Sequence, residues 1–137
     1  MRRPLLIALA AVATLTVSAR AQAADPPEFQ SPSGNVQCAL QGSRVRCDMR
    51  RVGNPLPPRP SSCIGDWGHS FVVTRTGSRG RRICVTDAVG GPNLPTIAYG
   101  RTWRRGGLRC SVRRTGVRCA NGRGHGFLLR IGLQRLF

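Results

Sequence analysis

Two histidines, His69 and His125, are the side chains of this sequence suited to proton transfer near neutral pH, and such a pair could work as acid and base on a phosphodiester. Each stands beside glycine at the edge of an apolar run, where a histidine more often serves a turn or a surface. Asp66 and Asp87 are the obvious additional ligands for a metal, but no C-x2-C pair accompanies them. A G-x-S-x-G elbow and a P-loop are also absent. The reading is therefore a non-enzymatic chain without metal or cofactor. Its alternative is a small cationic hydrolase or nuclease using His69 and His125.

Binding chemistry is better represented than catalytic chemistry. The 137 residues hold 22 arginines, no lysine and only five acids, for a formal net charge of +17. A GC-rich genome would account for arginine over lysine and would leave the field in place. A compact domain with that charge attracts polyanions such as nucleic acid, anionic lipid or an acidic envelope polymer. The densest clusters are Arg75, Arg79, Arg81 and Arg82, and Arg101, Arg104 and Arg105 around Trp103. The second is favoured because an exposed indole could stack on a sugar or base between the arginines. A buried Trp103 would leave those arginines merely solvated. The expected partner is an anionic polymer or envelope surface, or an unidentified protein, and the chain is read as a monomer.

Two similar segments must position these groups: Gly34 to Cys47 and Gly106 to Cys119, each with eight residues between its cysteines. Side chains alternate between the two faces of a strand. Val36, Cys38 and Leu40 then share a face with Val45 and Cys47, as Leu108, Cys110 and Val112 do with Val117 and Cys119. Each copy reads as a β-hairpin tied by its own disulfide, Cys38–Cys47 and Cys110–Cys119, which leaves Cys63–Cys84 by elimination. One face of each hairpin is core. The other is basic, with Arg44, Arg46 and Asp48 in the first copy and Arg109, Arg113 and Arg118 in the second.

Residues 1–23 read as a secretory leader: Arg2 and Arg3, an apolar run from Leu5 to Val17, and Ala21-Gln22-Ala23 as the cleavage site. That run is shorter than the ~20 residues needed to span a bilayer. Secretion to an oxidising compartment agrees with six cysteines in one small domain, residues 24–137. Within it, residues 24–33 are expected to fray apart from a docked Phe29. Four prolines between Met49 and Ser62 make an extended surface connection. Its segment Pro55 to Ser62 could present itself to a protein, which supports a third reading as a secreted inhibitor or effector. Asp66-Trp67-Gly68 reads as a turn. Further strands are expected at Ser70 to Thr74, Ile83 to Thr86, Ile97 to Tyr99 and Phe127 to Ile131, with a C-terminal segment packed down. With no helical periodicity, the fold class is all-β, a single disulfide-stapled domain of about eight short strands. The large core candidates are Phe29, Trp67, Phe71, Tyr99, Trp103, Phe127 and Phe137.

The chain resembles a family of small exported bacterial proteins known only as a domain of unknown function. The residues that carry the resemblance are Phe29-Gln-Ser-Pro-Ser-Gly-Asn35, the two cysteine pairs, Asp66-Trp67-Gly68, Cys84-Val-Thr-Asp87, Tyr99-Gly100 and Gly124-His-Gly-Phe127. Membership implies an exported or envelope location and brings no activity, substrate or catalytic residue.

Overall fold

The computed structural model describes residues 18, 19 and 21–137. Most of the leader read over residues 1–23 lies outside them, and the expected cleavage site at Ala21 to Ala23 is exposed coil. Among the described residues no helix is long and apolar enough to cross a membrane.

The described residues form ten strands: β1 (Glu28–Gln30), β2 (Val36–Gln41), β3 (Arg44–Met49), β4 (Asp66–Thr74), β5 (Arg81–Val85), β6 (Thr102–Arg105), β7 (Leu108–Arg113), β8 (Gly116–Asn121), β9 (Gly126–Arg130) and β10 (Leu133–Leu136). They make two antiparallel meanders, β1-β2-β3-β4-β5 and β10-β9-β8-β7-β6, facing each other across one apolar core. The disulfides Cys38–Cys47, Cys63–Cys84 and Cys110–Cys119 are all formed.

The likeness of the two hairpins extends to the whole of each sheet. In the first, Phe29 pairs with Cys38, Cys38 with Cys47 and Cys47 with Phe71. In the second, Trp103 pairs with Cys110, Cys110 with Cys119 and Cys119 with Phe127. Each sheet thus lays one row of aromatic, cystine and aromatic across the core. The rows meet face to face: Phe29 on Trp103 with ring centroids 5.1 Å apart, Phe71 on Phe127 at 6.0 Å, and Cys47 Sγ 3.6 Å from Cys119 Sγ. Every residue in both rows is fully buried.

Several elements differ from the sequence reading. Residues 26–30, expected to fray apart from Phe29, are docked on the sandwich. Leu40 donates its amide to the Pro27 carbonyl at 2.8 Å, Trp103 donates its indole N–H to the Pro26 carbonyl at 2.7 Å, and β1 completes the first sheet. Ile97 to Tyr99 is not a strand, and the chain makes only a single bridge there, between Thr96 and Gln30. β6 takes its place in the second sheet, turned into β7 by Gly106 and Gly107. Their φ values of +59° and +75° are the left-handed pair that a two-residue hairpin turn requires. Asp66-Trp67-Gly68 opens β4 and is no turn. Trp67 and Phe137 are half-buried outside the main core, Trp67 donating to the Pro57 carbonyl at 3.1 Å and so tying down the Pro-rich connection.

The outward face of the first sheet is also not the open basic surface that Arg44, Arg46 and Asp48 suggested. Arg46 is 3 % exposed, and its row neighbours Ala39 and Val72 are buried with it. The segment Asp87 to Val89 crosses them. Arg46 holds it, donating to both Asp48 carboxylate oxygens at 2.9 and 2.8 Å, to Asp87 Oδ1 at 2.9 Å and to the Asp87 carbonyl at 2.6 Å.

At the other end of the sandwich, buried Asn121 joins the two sheets. Its amide donates to the carbonyls of Thr74 at 3.0 Å and Gly77 at 2.8 Å, and its oxygen accepts from the amides of Arg123 and His125. Asn121→Leu should therefore lower stability by about 2 kcal/mol, because it removes four hydrogen bonds of a buried amide to half-buried groups on both loops. Urea unfolding measures it, and a loss below about 0.5 kcal/mol would mean that the loops are held by other contacts.

Candidate functional site

The arginines gather on the second sheet for a reason visible in the chain: Asp87 is the last acid, so residues 88–137 carry none. Inward residues of β7 and β8 are Leu108, Cys110, Val112, Val117 and Cys119, all buried. Period-two alternation sends Arg109, Arg113 and Arg118 outward. By the same register Arg104, Arg130 and Arg135 project from β6, β9 and β10, and all six are exposed. The result is one sheet face studded with six guanidinium groups, with a carboxylate only at its β6 edge, where Asp25 Oδ2 accepts the Arg104 amide at 2.6 Å.

Phe137 lies on this face. Its backbone exchanges hydrogen bonds with Gly126, and its ring sits beneath two guanidinium groups, Arg118 at 4.3 Å and Arg135 at 5.9 Å. The aromatic ring set among arginines is thus Phe137. Trp103 is not: it is 0 % exposed, stacked on Phe29 in the core, because on a strand the residue between two outward neighbours points inward. An indole so placed cannot stack on a sugar or base.

The other arginines of the sequence clusters separate. Arg101 and Arg79 are exposed in loops. Arg81 faces outward on β5, whereas Arg82 lies over the Phe71 ring at 5.0 Å and burial pushes its guanidinium below the ordinary arginine value. Arg105 donates to the Asp25 carbonyl at 2.5 Å. Arg75 joins the second sheet, its stem lying on the β6–β7 turn where a Cβ on Gly107 would come within 3.2 Å of Arg75 Cγ. Among the described residues, Arg46 is the only arginine whose guanidinium lies within 4.0 Å of a carboxylate.

The acids gather elsewhere. Asp48, Asp66 and Asp87 line a cleft of about 710 Å³ over the first sheet, together with His69 and the almost fully exposed Ile64. His69 Nδ1 is 3.4 Å from Asp66 Oδ2. Burial, the largest influence on Arg46, pulls its guanidinium down, and the bonds and charges of Asp48 and Asp87 together outweigh it, so it stands above its ordinary value. The hydrogen bond from Arg46, then its charge, hold the Asp87 carboxyl below the usual carboxylate range.

The two histidines do not form a site. His69 lies five residues before Thr74 on β4, roughly 15 Å along the strand. It is Thr74 whose carbonyl receives the Asn121 amide at the base of the loop carrying His125. A nuclease built on that pair loses its geometric basis. Sulfur atoms of Cys38, Cys47 and Cys119 lie within 4.8 Å of one another, but all are oxidised in disulfides and offer a metal no thiolate.

A family model described as a family of unknown function, DUF6636, matches residues 8–137. The chain belongs to DUF6636. No curated protein and no solved structure matches it. In this DUF6636 chain several of the short motifs behind the resemblance line two separate clefts. Asp66 meets Val85, Thr86 and Asp87 in the acidic cleft, while Ser31, Ser33, Asn35 and Tyr99 line a second cleft beside the arginine face. The sequence reading had the basic side of the second hairpin, Arg109, Arg113 and Arg118, and missed its extension across β6, β9 and β10, the place of Phe137 and this second cleft. The signal for the face was present: fifty residues rich in arginine without one acid.

Proposed function

We propose that this DUF6636 chain is a non-enzymatic exported β-sandwich that docks on a polyanion, an acidic envelope polymer or nucleic acid, through the outward face of its second sheet. The observation that carries the reading is the segregation of charge: six exposed arginines on one sheet face, three of the five acids in a cleft on the other sheet. Codon composition explains why a residue is arginine rather than lysine, and it does not place acids on one side. A flat, unpaired guanidinium array suits a repeating anion, because arginine forks match phosphate and carboxylate bidentately and release counterions on binding. Export is supported by the leader-like residues and by three disulfides closing every cysteine.

The test compares two triple substitutions of equal charge. Arg104/Arg109/Arg118→Ser removes half the face, and Arg44/Arg50/Arg79→Ser removes three arginines that lie outside it. Binding to duplex DNA across salt should lose roughly 2 to 3 from the slope of log K against log salt in the first variant and less than about 1 in the second. Equal slopes and equal losses would leave only a diffuse field and overturn the localised face.

A further inference from the structure

At one end of the arginine face, the β1–β2, β7–β8 and β9–β10 turns enclose a cleft of about 380 Å³, within the roughly 300–1,000 Å³ of small-molecule sites. Four arginines line it, Arg51, Arg113, Arg114 and Arg130, and no carboxylate does. We propose that this cleft binds a phosphorylated saccharide unit. The inference rests on the polyanion reading above, whose face ends at Arg113 and Arg130, and names the group which that face leads to.

The arginines are arranged rather than merely near. Arg113 pairs with Gly116 across β7 and β8, and Arg130 flanks Gly116 from β9. At φ +134° and with a would-be Cβ 2.7 Å from the Leu129 carbonyl oxygen and 3.4 Å from Arg130 Cβ, position 116 excludes a side chain. The strip between Arg113 and Arg130 therefore carries no side chain of its own at position 116 and is bordered by Leu128, whose Cδ1 would stand 3.2 Å from such a Cβ; two strand spacings make it about 10 Å wide. A tetrahedral oxyanion set there reaches both guanidinium groups. Arg114 is stacked on the Tyr99 ring at 4.8 Å, which fixes its plane. The backbone of Arg51 is clamped by Asn35, which donates to the Arg51 carbonyl at 3.2 Å and accepts from the Arg51 amide at 2.9 Å.

The rest of the lining suits a sugar. Ile131, 45 % exposed above the buried Val36, Val117 and Leu129, offers apolar surface to C–H groups, and the hydroxyl of exposed Ser33, 3.1 Å from that of buried Ser31, with the phenol of Tyr99 offers partners to sugar hydroxyls. Arg114 already covers one face of Tyr99, so no aromatic pair remains to sandwich a base. That favours a saccharide over a nucleotide as the body that bears the phosphate.

A free sugar phosphate and a phosphorylated polysaccharide present the same groups, so calorimetry on the oxidised protein uses both glucose 6-phosphate and a phosphomannan. Inorganic phosphate, glucose and adenosine monophosphate are the controls. Glucose 6-phosphate or phosphomannan should bind about tenfold or more tightly than any control, and Arg113→Ala/Arg130→Ala should weaken that binding by about tenfold or more. Arg104/Arg109/Arg118→Ser should leave it within about twofold. Binding to the polymer alone would identify the source. Binding to neither, equal binding of the controls, or equal losses in the two variants would overturn the site. DNA binding in the same preparations separates the two readings: if it survives in Arg113→Ala/Arg130→Ala while no sugar phosphate binds, the cleft is wrong and the face stands. If DNA never binds, the face reading has failed by itself.

Discussion

Replacing Cys38, Cys47, Cys110 and Cys119 together by alanine should leave a chain without a cooperative folded state near room temperature. On the chain-entropy account each of these rings is worth about 3 kcal/mol, so the pair accounts for about 6 kcal/mol of the 5–15 kcal/mol that a domain of this size commands. The packing argument adds to it. The two bridges touch at the centre of the sandwich, between the Phe29–Trp103 and Phe71–Phe127 pairs, so removing four sulfur atoms opens a void at the one place where both sheets meet. Cys63→Ala/Cys84→Ala is the contrast. That bridge ties the Pro-rich connection to β5, and Cys84 is exposed, so its loss should cost about 3 kcal/mol and leave near-ultraviolet dichroism in place. Urea unfolding of both variants decides the matter. A cooperative transition in the fourfold variant, with its midpoint near that of the wild type, would show that the paired cystines are not the keystone.

The parity that put both cysteines of each hairpin on one face was legible because strand alternation is strict where a strand is six residues long and its apolar positions repeat. It was not legible for β1, β6 and β10, which are three or four residues long, too short for a pattern. Trp103 shows the cost. Read as one aromatic among arginines it looks like a surface platform, whereas read as the edge-strand counterpart of Phe29, opposite Cys110 as Phe29 is opposite Cys38, it must be core. The Gly106-Gly107 pair before Leu108 was a hairpin signal that would have revealed β6. The meeting of Arg51 with Arg113, Arg114 and Arg130 could not be read, since it depends on how the ends of two sheets come together. Nor could the covering of Arg46, because the segment that buries it lies 41 residues away in the chain.

That covering sets the second large effect. Arg46→Ala should cost about 3 kcal/mol, since it leaves Asp48, 15 % exposed, without its cation and strands the Asp87 carbonyl. Arg46→Lys should recover less than half of the loss, because one ammonium cannot replace a planar fork that reaches Asp48 and Asp87 together. The pH dependence has a definite sign. Asp87 titrates lower in the folded chain than in the unfolded one, so its contribution is fully present above the unfolded value and is lost as pH falls through the folded one. The wild type should therefore lose stability on acidification below about pH 4, and in Arg46→Ala most of that slope should go, since the arginine does more than Arg44 or the backbone to depress Asp87. Urea midpoints of the two chains at neutral and acid pH test both statements. Equal stability at neutral pH would show that Asp87 to Val89 packs on the sheet without the arginine. A wild-type curve no steeper in acid than that of the variant would show that the Asp87 carboxylate takes no part in holding it, leaving the Asp87 carbonyl and Asp48 as the only partners that Arg46 needs.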